Sequence, residues 1–240
     1  MLTKKIYGLI GKNIDYSFSK KYFTQKFKND KIDDCEYLNF DIDKINDFKK
    51  INLGNINGFN VTIPYKEKII AYLDQIDESA RNIGAVNTIK ILKNKLIGYN
   101  TDYLGFINSF KEKLDYKYAL ILGSGGASKA IQYAIKIKKI NFDVVSRKRN
   151  INHIDYSQIE SLEKYDLIVN CTPLGTYPNI GDKPDLNYGQ LNDKHVCYDL
   201  IYNPSETLFL NESKKRGAKT MNGLQMLKLQ AEESWRIWNS

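Results

Sequence analysis

The chain has 240 residues, 36 of them Lys or Arg against 28 Asp or Glu, for a net charge of +8, and 42% of it is hydrophobic. A chain of that length holds one large core or two lobes of about 100 residues each, and two lobes make a cleft. The positive charge is scattered, with no arginine-rich arm and no pattern of aromatic platforms. This argues against nucleic-acid binding and agrees with attraction of small anionic ligands.

In chain order, the apolar pattern predicts a strand over Lys5–Ile10, a helix over Lys20–Lys28, a strand over Tyr37–Phe40 and a helix over Lys44–Ile51. A strand over Gly58–Val61 follows, then a helix opened by Pro64, a residue suited to the first helical position. Val86–Tyr99 reads as a strand pair turning near Asn94, and Tyr103–Leu114 as a helix leading into a second β-α series that begins at Tyr118. The closing run Leu224–Trp238 places Leu224, Leu227, Ala231, Trp235 and Trp238 near helical spacing, and this helix is expected to pack back on the first lobe. The basic runs Lys136–Lys139 and Lys214–Arg216 read as solvated helix faces.

Cys35, Cys171 and Cys197 lie far apart without a C-x-x-C pair, so neither a disulfide framework nor a zinc site is indicated and a reducing cytoplasm fits. His153 and His195 have no ligand-spaced neighbours, and no metal is expected. The apolar stretch Ile6–Ile10 is too short for a signal-peptide core or a membrane span, and no later run reaches spanning length, so a soluble, untargeted protein is expected.

The stretch from Ala119 to Ala130, ALILGSGGASKA, is an apolar strand running into a glycine turn and a helix, the arrangement that cradles a dinucleotide pyrophosphate. Gly123 permits the tight turn, Gly125 and Gly126 allow backbone approach to phosphate, and the N–H groups opening the helix near Ala127 supply an anion site. Ser128 stands where the usual G-x-G-x-x-G pattern has its last glycine, so the loop alone also suits a plain strand-to-helix turn. About 20 residues on, the next strand ends in Ser146-Arg147-Lys148-Arg149, where an NAD enzyme carries Asp or Glu. A guanidinium there grips a ribose 2′-phosphate, which favours NADP.

Polar clusters fall at the ends of the predicted strands of the first lobe: Ser17-Phe18-Ser19, Asn60-Val61-Thr62-Ile63-Pro64-Tyr65-Lys66, Ala85-Val86-Asn87-Thr88 and Asn100-Thr101-Asp102. With Asn170-Cys171-Thr172-Pro173-Leu174-Gly175, Tyr198-Asp199-Leu200-Ile201-Tyr202-Asn203-Pro204 and Asn222-Gly223-Leu224-Gln225-Met226-Leu227 through Gln230, these clusters make the chain resemble shikimate dehydrogenase along nearly its whole length.

The resemblance implies two open α/β lobes. Residues 1–103, completed by a C-terminal helix over 223–240, would bind substrate, and residues 104–222 would form a Rossmann-type NADP domain. It implies reversible NADP-linked reduction of 3-dehydroshikimate to shikimate in aromatic amino acid biosynthesis. By the same resemblance Lys66, partnered by Asp102, assists proton transfer. Ser17, Ser19 and Tyr202 meet the substrate carboxylate, and Thr62, Asn87, Asp102 and Gln230 meet ring hydroxyls. Gly123, Ser124, Gly125, Gly126, Ala127, Ser146, Arg147, Thr172 and Gly223 line the cofactor.

Singly, each polar residue also suits a structural role. Ser17 and Ser19 fit a helix cap, Asp102 an N-cap ahead of Tyr103, Thr62 and Asn87 strand-end backbone, and Gln230 an exposed helix position. In the first turn of a Pro64 helix the dipole would disfavour the Lys66 ammonium, while a nearby Asp102 would favour it. The turn at Ser146 departs from the family's Asn-Arg-Thr, and Thr176 replaces its usual Met. Rival readings are an NAD-using quinate/shikimate dehydrogenase and a catalytically silent shikimate-binding regulator. A monomer or a homodimer is expected.

Overall fold

The computed structural model describes residues 4–15, 17–110, 115–147 and 152–240. Strand β1 (Lys5–Gly11) sits inside a sheet and pairs in parallel with β2 (Cys35–Asp41) and β3 (Ile56–Val61). Helix α1 (Phe18–Asn29) makes the crossover between β1 and β2. A short strand β4 (Gln75–Ile76) follows, and strands β5 (Thr88–Leu92) and β6 (Lys95–Tyr99) form the expected hairpin, turning through Lys93 and Asn94. Both turn residues have positive φ, 50° and 61°, the geometry a two-residue hairpin turn requires. The sheet order is β2-β1-β3-β5-β6-β4.

Three segments of this half differ from expectation. The helix expected over Lys44–Ile51 is a 3₁₀ helix, Ile45–Lys50. Pro64 opens no helix. It follows a cis peptide bond within a turn in which Tyr65 N donates to Thr62 O at 2.9 Å, and the next helical segment is a 3₁₀ turn, Lys68–Tyr72. The buried Tyr65 side chain, donating to the Ile42 carbonyl at 2.7 Å, holds the chain down at that point. Helix α2 (Glu78–Ile83), capped by Asp77 and closed by left-handed Gly84, has no counterpart in the sequence reading. Six residues are too few to show an amphipathic period.

Helix α3 (Asp102–Ser109) leads into the second sheet; the rest of the helix expected through Leu114 falls partly on 111–114, outside the described residues. The second sheet contains β7 (Tyr118–Leu122), β8 (Asn141–Val145), β9 (Leu167–Asn170), β10 (Val196–Asp199) and β11 (Lys219–Met221), with helices α4 (Gly126–Ile137) and α5 (Leu208–Lys215). All its pairings are parallel, in the order β11-β10-β9-β7-β8. Such a sheet is covered on both faces, which is why its strands read as unbroken apolar runs. Ala119, Ile121, Leu167 and Val169 enter one core, and Leu120, Leu122 and Ile168 enter the other.

The chain divides into two compact units, Met1–Thr101 with Gln230–Ser240, and Asp102–Leu229. Helix α6 (Leu224–Trp238), found where its spacing predicts, crosses from the second unit into the first. Its last turns join Tyr7, Phe23, Phe27 and Tyr37 in the core of the first unit, where Trp238 stacks on Tyr7 at 4.7 Å. Both basic runs are solvent-exposed, as expected. His195 is a packing residue: its Nδ1 lies 3.1 Å from the Asn192 backbone N and its Nε2 3.2 Å from the Leu162 carbonyl. Among the described residues no group of His, Cys, Asp or Glu is arranged to hold a metal, and no helix is long and apolar enough to cross a membrane.

Candidate active site

In the second sheet, β8 lies on one side of β7 while β9, β10 and β11 lie on the other, so the chain reverses direction between β7 and β9. Open parallel sheets bind ligands beyond the carboxyl ends of their strands at such a reversal. Gly123 follows β7, and Thr172 follows β9 by two positions. A Cβ on Gly123 would lie 3.2 Å from the Thr172 methyl, so the two turns meet there, and the Gly123 φ of +104° belongs to glycine.

Helix α4 begins at Gly126 with Gly125 as its N-cap, and no side chain caps its first N–H groups. A Cβ on Gly125 would meet nothing within 4 Å, which is the open approach a phosphate needs. The Ser124 and Ser146 hydroxyls pair at 2.8 Å beside this turn, and Ser128 donates to the Gly123 carbonyl at 2.6 Å. Arg147 is exposed just past the end of β8; burial raises the half-buried Tyr156 phenol, and the Arg147 guanidinium opposes that rise. Lys148 and Arg149 lie outside the described residues. These donors, an open helix start and a guanidinium one strand away, fit a phosphorylated dinucleotide.

Gly223 has a packing reason to be glycine. A Cβ there would overlap the Leu200 carbonyl oxygen and lie 2.6 Å from its carbon, while Gly223 N donates to Ile201 O at 3.0 Å.

Beneath these turns lies a polar knot that the sequence reading did not single out as functional. Asn170 and Asp199 end β9 and β10, face one another in register and are fully buried. Asp199 accepts from Thr207 Oγ1 at 2.5 Å, from Ile201 N at 3.0 Å and from Asn170 Nδ2 at 3.1 Å. Asn170 Oδ1 in turn accepts from Thr172 N at 3.0 Å and from Thr172 Oγ1 at 2.6 Å. Burial outweighs the three donors and pushes the Asp199 carboxyl up to about 6. The Cys171 thiol is raised well above its ordinary value, first by burial and then by Asp199. A signal was present in the sequence: two apolar strands, Leu167-Ile168-Val169 and Val196-Cys197-Tyr198, each ending on a polar residue.

In the first unit the predicted residues occupy strand ends and helix faces. Ser17 is the N-cap of α1, accepting from Lys20 N at 3.3 Å, whereas Ser19 lies inside the helix and is buried. Thr62 directly follows β3, with its N–H donating to Ile10 O at 2.9 Å. Asn87 precedes β5 and is woven into a buried network: its Oδ1 accepts from Thr101 N at 2.7 Å, and its Nδ2 donates to Thr101 Oγ1 at 2.9 Å and to Gln230 Oε1 at 3.2 Å. Gln230 is therefore buried, not exposed. Ser234, one helical turn further on, ties the network to Asn60 at 2.9 Å and Thr88 at 2.8 Å, and Tyr37 donates to Asn60 Oδ1 at 2.8 Å.

Lys66 lies in the turn after Tyr65, ahead of the 3₁₀ turn Lys68–Tyr72 and not in the first turn of a helix opened by Pro64. Its carbonyl accepts from Val86 N at 2.8 Å, which fixes the backbone from which the ammonium extends. Asp102 is the first residue of α3, within the helix and not a cap ahead of it. Tyr202 follows β10, and its phenol is raised by burial.

Comparison with known proteins agrees with this layout. A family model described as the shikimate dehydrogenase substrate binding domain matches residues 9–89. The chain is 40% identical over 247 residues to a shikimate dehydrogenase (NADP(+)) of Clostridium botulinum, covering 96% of this chain and 95% of that one. A crystal structure of a shikimate dehydrogenase in complex with NADP+ is similar with a TM-score of 0.86 at 37% identity, over 98% of this chain and 90% of the other. The shikimate 5-dehydrogenase of Thermus thermophilus, solved in complex with NADP(H) and shikimate, gives a TM-score of 0.87 at 26% identity, over 98% and 93% of the two chains. With an open phosphate cradle at the strand reversal, and relatives of this kind matching from end to end, the chain belongs to the shikimate dehydrogenase family.

Proposed function

We propose that this protein is an NADP-dependent shikimate dehydrogenase, interconverting 3-dehydroshikimate and shikimate in aromatic amino acid biosynthesis. The observation that carries the reading is the uncapped glycine turn of α4 at the β7/β9 reversal, on a chain 40% identical over 96% of its length to an NADP-linked member of the family. Residues 104–222 bind the cofactor. Gly123, Ser124, Gly125, Gly126 and Ala127 surround its pyrophosphate, Ser146 and Arg147 its phosphorylated ribose, and Thr172 and Gly223 also line the cofactor. Residues 1–103 with 223–240 bind the substrate. The enzyme works in the cytoplasm, as a monomer or a homodimer.

NADP, when bound, supplies hydride acceptance and, reduced, hydride donation. The protein has to manage the proton. Oxidation removes a hydride from the ring carbon and a proton from the hydroxyl on that carbon. Lys66 takes that proton, with Asp102 as its partner, and returns it to the forming hydroxyl in the reverse direction. Ser17, Ser19 and Tyr202 supply hydroxyl donors to the substrate carboxylate, and Thr62, Asn87, Asp102 and Gln230 meet the ring hydroxyls. The Asn87–Gln230 hydrogen bond at 3.2 Å supports this, since it fixes the orientation of both amides before substrate arrives.

The test crosses shikimate and quinate with NADP and NAD, following nicotinamide absorbance near ~340 nm. Shikimate with NADP is expected to be turned over fastest. Preference for quinate or NAD selects the rival dehydrogenase, and shikimate binding without turnover selects the silent regulator.

A further inference from the structure

We propose that Asp199 is a positioning residue of this dehydrogenase: as a carboxylate it anchors the Asn170 amide, and through it holds the Thr172 turn against the glycine turn that receives the cofactor. The inference rests on the functional reading above.

A carboxylate is acceptor-only, so every group facing it must present a proton. Asn170 therefore turns Nδ2 toward Asp199, at 3.1 Å, and its Oδ1 toward Thr172. That oxygen takes both the N–H and the hydroxyl of Thr172, which directs the Thr172 lone pairs to Leu174 N at 3.3 Å. The Thr172 N–H, a donor only, asks for the same amide orientation, and Nδ2 also faces the Leu174 carbonyl at 3.5 Å, so the buried charge and the turn hold Asn170 from opposite sides. The second oxygen of Asp199 accepts from Thr207, whose Oγ1 caps α5 through Leu210 N at 3.4 Å, and Ile201 N donates to the first. The segment 200–207 that carries Tyr202 is therefore pinned at both ends by the same side chain. Asparagine at 199 offers one accepting oxygen in place of two. Asn170 Nδ2 and Ile201 N share one oxygen of Asp199, so the new amide keeps them only by turning its NH2 to Thr207, whose hydroxyl then has to accept from it as well as from Leu210 N, and the knot loses its charge-assisted bonds.

A knot serving only to join two strands would not need a charge. Among the described residues no cation acts on Asp199, and a buried charge without one is costly to maintain. The titratable groups coupled to it are Cys171 after β9 and Tyr188 in the 3₁₀ turn Tyr188–Gln190, and burial raises both, leaving them neutral. Asp199 is the member of the knot whose charge changes, in the range around pH 6.

The experiment measures kcat and KM for NADP from pH 5 to 9 in the wild type, Asp199→Asn, Thr207→Ala and Thr207→Ser. Asp199→Asn is expected to raise the KM for NADP about tenfold, the factor set by one hydrogen bond, with kcat changed less than KM and the acid limb near pH 6 flattened. Thr207→Ala removes a donor from the carboxylate, so its acid limb moves to higher pH, and Thr207→Ser returns it. The 2′-phosphate of NADP titrates identically in every variant, so differences between variants isolate Asp199. Should Asp199→Asn fail to fold, the Thr207 pair decides. An Asp199→Asn enzyme with KM within twofold of wild type and the same pH profile, or Thr207 variants with superimposable limbs, overturns the inference while leaving the dehydrogenase reading intact. A wild-type protein inactive with every substrate and cofactor pair overturns both.

Discussion

Replacing Gly58 with alanine tests how the C-terminal helix is held on the first unit. Gly58 lies in β3, and a Cβ there would fall on the Trp238 indole nitrogen, 2.5 Å from its Cδ1 and 2.8 Å from the Ile89 carbonyl oxygen. The indole N–H already donates to that oxygen at 3.0 Å, so the methyl and the hydrogen bond compete for one place. Overpacking a core by one carbon costs about 1–3 kcal/mol. The displaced indole loses a buried hydrogen bond of about 0.5–1.5 kcal/mol and a stack on Tyr7 of about 0.5–1.5 kcal/mol. Gly58→Ala is thus expected to destabilise the first unit by about 4 kcal/mol. Urea unfolding followed by tryptophan fluorescence isolates this unit, because both tryptophans, Trp235 and Trp238, sit in its part of α6. The same change is expected to raise the KM for shikimate, because Gln230 rides on the helix that Trp238 anchors. A second variant, Trp238→Leu, removes the obstacle, and adding Gly58→Ala to it is expected to cost far less than in the wild type. A loss under about 1 kcal/mol with unchanged emission, or full additivity of the two changes, would refute the reasoning.

Lys66→Ala is expected to lower turnover by about 10²-fold or more while shikimate still binds; near-normal turnover in steady-state assays removes the proton-transfer role. Arg147→Asp is expected to raise the KM for NADP far more than that for NAD, and equal effects would take Arg147 away from the phosphate. The Asp199 carboxyl lies near 6 in the fold against an ordinary value of 3.8, so the folded state binds its proton more tightly than the unfolded state. Its contribution is fully present below about pH 4 and is lost as the pH rises through about 6, a fall of about 3 kcal/mol. Denaturation midpoints across that window should drop in the wild type and drop less in Asp199→Asn.

Much of the architecture was legible because burial writes itself into residue spacing. Helix α6 showed its period over fifteen residues, and Lys93-Asn94 lay between two alternating runs. The glycine turn was legible for a steric reason, since Gly123 takes a left-handed φ and a side chain on Gly125 would stand in the open approach to the turn. Pro64 misled because the same fixed φ that suits a helix start also suits a turn, and the choice was made by the distant pairing of Tyr65 with Ile42. Helix α2 was too short to carry a period. The Asn170–Asp199 pair escaped because strand register alone brings residues 29 positions apart side by side. Ser17 illustrates the reverse case, in which the modest reading as a helix cap is realised without displacing a role at the substrate.

Helix α6 also has a consequence for the order in which the chain matures. The second unit, Asp102–Leu229, has all its sequence translated before the final turns of α6 are made, whereas the first unit, begun earliest, has to wait for Gln230–Ser240. Until Ala231 and Trp238 arrive, Tyr7, Phe23, Phe27 and Tyr37 present an open aromatic face. The half made first is therefore the half finished last, and a nascent chain released a few codons early leaves the ribosome with a completed nucleotide fold and a sticky, unfinished partner.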